Sequence, residues 1–549
     1  MNTLNLFLLL AGVVIAICIL LNRIADRLPL PSLILFIALG MCFGENGFLR
    51  ISFNDYALAE TVCSVALVFI MFYGGFGTNM EAARPVAAKA FVLSTAGVAM
   101  TAGTVGIFIH FCLKLGWAES LLIGSVISST DAASVFNVLR AEKLSLKNNT
   151  DSLLELESGS NDPMSYMLTM LMLSIIQGEA ISAPLMLVQQ LAVGAAFGLI
   201  IGKMSVVALN KFSISMAQGK TIFLFAAAII AYALPAVLGG NGYLSVYLCG
   251  ILMGNSFVPD KRDMVKFFDA LTGVAQMVIF FLLGLLVTPK ELPQVFLPAI
   301  LIFLFMTFIG RPAVVSVILA PFKASIKQIG VVSWAGFRGV ASIVFSIYAV
   351  LAGIPMEYNL FNLVFVIVIV SLAVQGALLP AVSKKLNMLD TESNVMKTFN
   401  DYEEEGGVSF IKLSVNSGHP YAGKLLKDTG IPRELLVTLI LRGGDEILPD
   451  GNTEILEGDV LIIAAPSFED SAEAMFREVY IGRNHRFRGC RVKELSGEAA
   501  VLIIMIIRGG ETIIPNGETI VSEGDTLVTA KRDAADNQAD AGTDKKSKL

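Results

Sequence analysis

The chain has 549 residues, of which 55% are hydrophobic and 16% are charged, and its formal net charge is −6. A composition this apolar excludes an ordinary soluble protein of such length, and the slightly acidic balance predicts no nucleic-acid partner. The apolar residues are concentrated before about residue 383. We therefore expect a part embedded in the lipid bilayer, followed by a soluble C-terminal part.

Thirteen apolar stretches are long enough to cross roughly 30 Å of hydrocarbon as helices. Their predicted limits are 4–21, 29–45, 57–76, 87–113, 119–139, 153–177, 184–209, 220–238, 243–258, 263–288, 295–319, 325–352 and 358–383. No basic residues precede the first stretch and no clear cleavage site follows it, so we interpret it as a helix rather than a signal peptide. The predicted fold class is an α-helical polytopic membrane protein with about thirteen transmembrane helices.

Basic residues in the predicted loops indicate the orientation of these helices. About sixteen Lys and Arg residues fall in alternate loops, whereas the opposite loops contain only Arg50, Lys114 and Lys290. Lys and Arg accumulate on the cytoplasmic side of membranes. The N-terminus is therefore predicted to lie outside, and the C-terminus in the cytoplasm.

The fifth stretch contains a polar cluster that predicts a broken helix. Five oxygen-bearing side chains fall within seven residues: Ser128, Ser129, Thr130, Asp131 and Ser134. Such residues compete for backbone hydrogen bonds and favour breaks and caps. At a break, the amides of the second half attract an anion and the carbonyls of the first half attract a cation. Asp131 either caps the break or contributes to an ion site, and both interpretations stay open here.

The sixth stretch carries the carboxylate of greatest interest. An ionisable group at membrane depth costs about 3 kcal/mol or more, so it is usually retained for moving ions or protons. Ser158 and Asp162 share one helix face, and Glu157 and Asn161 share the neighbouring face. Pro163 removes one backbone hydrogen bond, and we expect a looser helix there. Asp162 is the predicted carrier of a cation and a proton.

The twelfth stretch places Arg338 between Gly336 and Gly339. A buried arginine stays charged and must find carboxylates or carbonyls, and Glu157 is its predicted partner. This stretch follows the broken fifth helix by seven spans, which suits two inverted repeats that contribute one interrupted helix each. We expect these two broken helices to cross.

The predicted site has one carboxylate among hydroxyl, amide and carbonyl oxygens. Such hard ligands suit a small alkali cation or a proton and not a soft metal, so no metal beyond the transported cation is predicted. A nearby cation favours the ionised form of Asp162 and drives its proton off. Exchange follows when the site reorients across the membrane only while Asp162 holds either a cation or a proton.

At these positions the sequence resembles the monovalent cation:proton antiporters of the sodium/proton exchanger superfamily, in its electroneutral branch. The specific matches are the pairs Thr130-Asp131, Glu157-Ser158 and Asn161-Asp162, and the Gly336–Gly339 segment around Arg338. The resemblance implies a secondary transporter rather than an enzyme, assembled as a homodimer through its membrane helices.

The resemblance also implies roles for the matching residues. The acid matching Asp162 binds the cation and the proton alternately, helped by Ser158 and the backbone near Thr130. The remaining matching residues form a polar network that shapes the site. An asparagine at position 161 of this network, rather than a second aspartate, accompanies electroneutral exchange. The network consists of Asp131, Glu157, Arg338 and Asn161.

Tyr73 departs from the family pattern, because relatives often carry an acid there before two glycines. Together with the Glu155–Met164 segment, this departure resembles the bacterial potassium/proton antiporters. The expected cation is therefore K+ rather than Na+, and the expected location is the bacterial inner membrane.

The soluble part repeats itself with an offset of about sixty-six residues, which indicates two copies of one module. Leu439–Gly444 matches Met505–Gly510, and Glu457–Asp459 matches Glu523–Asp525. Short apolar strands between Gly-containing turns predict two small α+β cytoplasmic domains. The predicted domain limits are 1–385 for the exchanger domain, 386–407 for a linker, 408–466 and 467–531 for the modules, and 532–549 for a disordered tail.

These modules resemble the C-terminal (TrkA-C type) subdomain of potassium-conductance regulators, which bind small ligands such as cyclic dinucleotides. The resemblance implies a regulatory nucleotide, and a module that only supports dimerisation is the alternative. The segment Gly418–Leu425 imitates a phosphate-binding loop, but Leu425 replaces the hydroxyl residue that would hold magnesium. No cofactor is predicted, and transport is not expected to be driven by ATP.

The predicted function is electroneutral exchange of K+ for H+, regulated by the cytoplasmic modules. The alternatives are a Na+/H+ antiporter of the same mechanism and a ligand-gated potassium channel. A channel predicts a Thr-Val-Gly-Tyr-Gly filter and no titrating acid within the membrane, and neither fits the sequence. An intramembrane enzyme would need a nucleophile with a base or a metal cluster, and the three histidines are too scattered in the sequence to supply one.

Overall fold

The computed structural model describes residues 12–20, 32–45, 53–131, 144–178, 183–211, 218–258, 261–390, 408–416, 419–432, 435–442, 445–466, 476–482, 485–498, 501–508, 511–513 and 515–531, with a few isolated positions between them. The start of the first predicted span, most of the predicted linker and the predicted tail lie outside these residues. The chain divides into two compact units, Met1–Glu403 and Glu404–Leu549.

The first unit consists almost entirely of helices. Their bounds are 12–20 (α1), Ser32–Phe43 (α2), Tyr56–Gly77 (α3), Ala87–Leu113 (α4), Trp117–Val126 (α5), Thr150–Ile176 (α6), Ala183–Lys211 (α7), Gly219–Val237 (α8), Gly242–Gly254 (α9), Lys261–Leu286 (α10), Leu292–Leu319 (α11), Ile326–Trp334 (α12), Val340–Leu351 (α13) and Leu360–Lys385 (α14). Seven described helices, α3, α4, α7, α8, α10, α11 and α14, are long and apolar enough to cross a membrane.

The α6 helix differs from its prediction. It begins at Thr150 and continues through Pro163 as a regular α-helix, so the expected loosening at this proline is wrong. The carbonyl of Pro163 accepts a hydrogen bond from Nδ2 of Asn241, the residue before α9, at 2.8 Å.

Two helices are interrupted near the middle of the unit. The α5 helix ends at Val126, residues 127–131 are not helical, and the described positions 134, 135, 138 and 139 are helical again. The second interruption separates α12 from α13. The two interruptions touch, because the amide of Asp131 donates to the carbonyl of Phe337 at 2.9 Å. Backbone ends of both helices therefore meet at one place.

Glycines allow the helices around this place to approach closely. A Cβ atom on Gly75 of α3 would lie 3.0 Å from the backbone nitrogen of Ile251 in α9, and one on Gly40 of α2 would lie 2.9 Å from Cα of Gly284 in α10. Small residues at such crossings permit the backbone contact that drives helix association in membranes. These contacts fix α3 and α10, which line the candidate site.

Short strands complete the description of both units. In the first unit, β1 pairs with β2; in the second unit, β3 to β8 belong to the first module, and β9 to β12 belong to the second, together with the short helix α15. Their bounds are Ser145–Leu146 (β1), Leu389–Asp390 (β2), Val408–Ser414 (β3), Lys424–Leu425 (β4), Leu436–Arg442 (β5), Asp445–Ile447 (β6), Glu454–Ile455 (β7), Val460–Pro466 (β8), Phe476–Tyr480 (β9), Val501–Arg508 (β10), Glu511–Ile513 (β11), Thr526–Lys531 (β12) and Val492–Glu498 (α15).

The two modules have the same sheet. The strand order is β3-β8-β5-β6 in the first and β9-β12-β10-β11 in the second, and all pairings are antiparallel. Each sheet also has one register shift, between Val437 and Leu439 in the first and between Ile503 and Met505 in the second. The sequence repeat therefore corresponds to a structural repeat, down to the irregularity in one strand.

An arginine–aspartate pair recurs in each module. Arg442 donates from Nε and Nη2 to the two carboxylate oxygens of Asp459, both at 2.8 Å, and Arg508 does the same to Asp525 at 2.7 and 2.8 Å. Both aspartates are buried. These hydrogen bonds hold the pKa of each aspartate below its usual range. Bidentate geometry makes this a strong form of ion pair.

Replacing Asp459 by asparagine is expected to destabilise the first module by about 1.5–3 kcal/mol at pH 7, since hydrogen bonds to a charged group are lost. Because the pKa of the folded-state carboxyl is lowered, its stabilisation is complete above about pH 4 and disappears as the pH falls through the folded-state pKa. The difference between variant and wild type should therefore vanish in strong acid. The difference in the free energy of unfolding is measured by urea unfolding of the full-length protein, with hydrogen exchange of residues 436–466 as the readout.

Asp450→Asn is the matched control for this substitution. The second module has Asn516 at the corresponding position, and it accepts the same hydrogen bonds, from the amide of the residue two positions on and from a threonine hydroxyl. This control should change stability little. Equal destabilisation by both substitutions would contradict a specific contribution from the Arg442 pair.

Candidate functional site

The break after α5 lies against the middle of α6 and brings four predicted residues together. The hydroxyl oxygens of Thr130 and Ser158 are 2.7 Å apart, and Nδ2 of Asn161 donates to the Thr130 hydroxyl at 2.5 Å. Asp162 lies beside them and accepts a hydrogen bond from the Ser129 hydroxyl. All five side chains are buried. The predicted cation-binding residues thus form one hydrogen-bonded group.

A small cavity adjoins this group. Its volume is about 30 Å3, and its polar lining comes from Ser129, Thr130, Asp131, Asp162 and Gln276. Leu67 and Ile70 of α3 and Phe280 of α10 supply apolar walls, and Gly339 to Ala341 close the side of the second break. A cavity of this size and polarity has room for one or two water molecules or a small cation.

Asp131 stabilises the crossing of the two breaks. Its carboxylate accepts a hydrogen bond from the Ser134 hydroxyl at 2.5 Å, and the Ser134 amide lies 3.4 Å from it. This is the geometry of a cap on the second half of the broken helix. Gly339 packs directly on the same carboxylate, since an added Cβ atom would lie 2.5 Å from Cγ of Asp131. The capping interpretation therefore agrees with the hydrogen bonds.

Gly339→Ala should reduce transport roughly 10-fold or more, because a displacement of about 1 Å at a positioned site has effects of that size. The φ and ψ angles of Gly339, −136° and −157°, are accessible to alanine, so the expected effect is steric. Gly74→Ala in α3 is the control, because no atom lies within 4 Å of its added Cβ. Cation-dependent proton flux in liposomes measures both variants. Wild-type flux in Gly339→Ala would contradict the close packing.

Arg338 compensates the open end of α5. Its Nη1 donates to the carbonyls of Ser128 and Ser129, both at 2.8 Å, and its side chain is completely buried. These carbonyls lie where the first half-helix ends and carry its negative dipole end. The cation that the free carbonyls attract is therefore this guanidinium.

The predicted pairing of Arg338 with Glu157 is wrong. Glu157 accepts instead from Nη2 of Arg311 at 2.5 Å, and both side chains are almost fully buried. Two features of the fold explain the exchange of partners. The carbonyls after α5 already occupy Arg338, and Gly336 leaves space for Arg311, since a Cβ atom there would lie 2.9 Å from Nε of Arg311.

Sequence reasoning missed Arg311, although a signal was present. Arg311 interrupts an apolar helix of 28 residues, and it stands between Gly310 and Pro312. A π-helical turn over Met306–Gly310 directly precedes it. Such turns rotate the following side chains relative to a regular helix and occur often at functional sites. The hydrogen bond from Ser129 to Asp162 was not predicted, because only the neighbouring residue Thr130 matches the family pattern.

Tyr73, the departure from the family pattern, hydrogen-bonds to an acid on another helix. Its hydroxyl donates to Oδ1 of Asp269 in α10 at 2.9 Å. Tyr73 is buried, whereas Asp269 is exposed. A carboxylate is thus present beside position 73, but it belongs to α10 and not to α3.

The charges of the site are distributed unequally. Glu157 is paired with Arg311, Arg338 faces helix-end carbonyls, and Asp131 caps a helix. Asp162 has hydroxyl and amide neighbours, and no described lysine or arginine forms an ion pair with it. It is therefore the carboxylate in the cavity that a proton or a cation would neutralise.

Comparison with known proteins identifies the family of this chain. The family model described as sodium/hydrogen exchanger, transmembrane, matches residues 12–385, and the TrkA-C domain model matches 410–469 and 476–535. A protein named K(+)/H(+) antiporter NhaP, from Alkalimonas amylolytica, is 34% identical over 470 residues, which cover 84% of this chain and 82% of that protein. A Na(+)/H(+) antiporter from Methanocaldococcus jannaschii is 27% identical over 365 residues, covering 63% and 83% respectively.

Solved structures show the same fold. The sodium proton antiporter MjNhaP1 from Methanocaldococcus jannaschii at pH 8 superposes with a TM-score of 0.63 and 21% identity, over 70% of this chain and 99% of that chain. Together these matches confirm the resemblance derived from the sequence, and with it a secondary transporter rather than an enzyme. The chain belongs to the sodium/hydrogen exchanger family, with two TrkA-C domains after the membrane part.

Proposed function

We propose that the protein exchanges one monovalent cation for one proton, and that Asp162 carries both in turn. The observation that supports this most directly is the carboxylate of Asp162, with which no described lysine or arginine forms an ion pair, in a small cavity where two broken helices cross. Thr130 and Ser158 supply hydroxyl oxygens close to it. Hard oxygen ligands of this kind suit alkali cations.

The buried charges explain why exchange would be obligatory. Protonated Asp162 and cation-bound Asp162 leave the site with the same charge, because Asp131, Glu157, Arg311 and Arg338 do not change. The empty ionised form has one uncompensated negative charge at membrane depth, which is costly to move through an apolar constriction. Only the loaded forms are then able to reorient, and one proton moves for each cation.

K+ is the proposed cation, with Na+ as the alternative. The relatives that are named K(+)/H(+) antiporters are 32–34% identical and align over 84–86% of this chain, including part of the C-terminal region. The relative named Na(+)/H(+) antiporter is 27% identical and aligns over 63%. Tyr73 in place of an acid supports the same choice.

The membrane arrangement is part of the proposal. It consists of thirteen transmembrane helices in two inverted repeats, with the N-terminus outside, in the bacterial inner membrane, and with two copies forming a homodimer. The contact between the break after α5 and the break after α12 supports the repeats, because each half contributes one interrupted helix. The basic loops support the orientation.

The TrkA-C modules are proposed to regulate exchange by binding a nucleotide, with cyclic dinucleotides as the first class to test. The proposed limits are 1–385 for the exchanger domain, 386–407 for the linker, 408–466 and 467–531 for the modules, and 532–549 for the tail. Modules that only support dimerisation remain the alternative, and a direct binding measurement on the full-length protein distinguishes the two.

Transport in liposomes tests the proposed function. The purified protein is reconstituted with an imposed pH gradient, and K+, Na+ or Rb+ is added while a pH dye reports the lumen. Antiport predicts that K+ dissipates the gradient at lower concentration than Na+ does. An imposed membrane potential should leave the rate unchanged. Flux that follows the potential and needs no proton gradient would indicate a channel instead.

A further inference from the structure

A second polar group lies at one end of the membrane unit, away from the cavity. The Ser64 hydroxyl donates to Oε1 of Glu60 at 2.8 Å and lies 2.9 Å from the hydroxyl of Tyr348, which is 3.4 Å from the hydroxyl of Tyr243. Because the Ser64 proton is directed to Glu60, the Tyr348 hydroxyl is the donor to Ser64. We call Glu60, Ser64, Tyr243 and Tyr348 the tyrosine cluster.

The tyrosine cluster lies in line with the cavity on two helices. On α3, Leu67 lines the cavity, and Glu60 is seven residues earlier. On α13, Ala341 lines the cavity, and Tyr348 is seven residues later. Seven residues of helix span about 10 Å. Both helices therefore place the cluster about two turns from the cavity, towards the end where α3 begins and α13 ends.

The α6 helix, which contains Asp162, connects the cavity with the tyrosine cluster. Tyr166 follows Asp162 by one turn of α6, and its ring packs against Tyr243 and Tyr348 with centroid distances of 5.1 and 5.8 Å. The packed rings thus lie between the level of Asp162 and this end of the unit. Tyr232 of α8 completes the aromatic wall, at 5.0 Å from Tyr243.

The hydrogen-bond partner of the Glu60 carboxylate is a hydroxyl group. In the described part of the chain its hydrogen bond comes from Ser64, and no lysine or arginine forms an ion pair with it. A half-buried carboxylate within a group of hydroxyl oxygens attracts cations, and its field raises their local concentration at the mouth of a pathway. An aromatic group used for packing alone would not need this acid.

We propose that Glu60 is the first binding point for the monovalent cation on the side where α3 begins, and that Ser64 and Tyr348 hold its carboxylate towards the cavity. The packed rings of Tyr166, Tyr243 and Tyr348 then separate the cation at Glu60 from Asp162. This proposal rests on the proposed exchange function. By the orientation of the basic loops, this side is the outer one.

Sided transport measurements test the proposal. The full-length protein is reconstituted into liposomes, vesicles of each orientation are separated, and the KM for K+ is measured with K+ applied at either face. Glu60→Gln should raise the KM about 3- to 10-fold at the face where α3 begins, in keeping with electrostatic attraction of a cation. The KM at the opposite face and kcat should stay near their wild-type values. High concentrations of an inert salt should reduce the difference.

Three further variants separate the proposed role from a structural one. Tyr348→Phe keeps the ring and removes the hydroxyl, so it should raise the KM at the same face by a smaller factor. Glu60→Asp keeps the charge and should restore part of the wild-type KM. Glu119→Gln is the control, because Glu119 lies at the same end, where Oε1 accepts from the Glu357 amide at 3.0 Å, and glutamine can still accept this bond.

Either of two results would overturn the proposal: an unchanged KM at both faces in Glu60→Gln, or an equal change at both faces. Loss of exchange in the wild type itself would instead contradict the proposed function. The two failures are distinguishable because the first requires an active protein.

Discussion

Asp162→Asn should abolish cation-dependent proton flux, and this is the largest single effect that we expect. Asparagine has almost the same shape and can still accept the hydrogen bond from Ser129, so the fold should be retained. It cannot release or take up a proton and cannot neutralise a cation. Flux through liposomes under an imposed pH gradient should therefore fall to the level of empty vesicles, with K+ and with Na+.

A matched control distinguishes this effect from a general loss of acidic residues. Asp263→Asn changes an exposed aspartate in the first turn of α10, remote from the cavity lining, and should leave the flux unchanged. Thermal unfolding in detergent checks that Asp162→Asn is folded. Persistent exchange in a folded Asp162→Asn protein would show that another group carries the proton.

Breaking the Glu157–Arg311 pair should produce the largest loss of stability. Removing one partner of a buried ion pair leaves an uncompensated charge and typically destabilises by about 3–5 kcal/mol. We expect this for Glu157→Gln and for Arg311→Met, measured by thermal or denaturant unfolding in detergent. The double variant should be less destabilised than the sum of the single variants, since the unpaired charge is absent.

A second double-mutant cycle tests which of the two arginines, Arg311 or Arg338, pairs with Glu157. Arg338→Met should also destabilise, because the carbonyls of Ser128 and Ser129 lose their donor. Its coupling to Glu157→Gln should be smaller than that of Arg311→Met, because contact partners show coupling energies of about 0.5–3 kcal/mol and more distant residues add almost independently. Stronger coupling of Glu157 to Arg338 would restore the pairing that the sequence predicted.

The partner of Glu157 could not be predicted from the sequence. The sequence identified a buried carboxylate, a buried arginine and the need to pair charges at membrane depth. It did not identify which of two arginines faces the carboxylate, because that depends on helix rotation. The π turn before Arg311 alters this rotation, and it depends on packing rather than on a strong local signal.

The predicted carrier group was recovered more completely. Thr130, Ser158, Asn161 and Asp162 lie together because a break and a helix face are both local features, which the polar cluster and the spacing of four residues indicate directly. Their contact still requires that α5 crosses α6 at this level. Nothing in the spacing gives that crossing, and the family resemblance supplied it.

The C-terminal modules were predictable for a different reason. A repeat with a constant offset must repeat its strands and turns, and the sheet order is indeed the same in both copies. The matched Arg442–Asp459 and Arg508–Asp525 pairs lie within the repeated motifs, yet the sequence did not indicate that they bond to each other. That contact depends on the pairing of β5 with β8 and of β10 with β12, which joins segments seventeen residues apart.

The amino-acid sequence alone predicts that this protein is embedded in a membrane and where its helices are interrupted. It also indicates that Asp162 is the carboxylate to test and that a module is duplicated. Each of these follows from local composition and spacing, because apolar runs, polar interruptions within them and internal repeats are properties of the sequence itself. The packing of the helices is what pairs Arg311 with Glu157, brings Ser129 to Asp162 and places Ser64, the partner of Glu60, beside Tyr348. Such contacts arise from helix crossing and rotation, which bring together residues up to 284 positions apart.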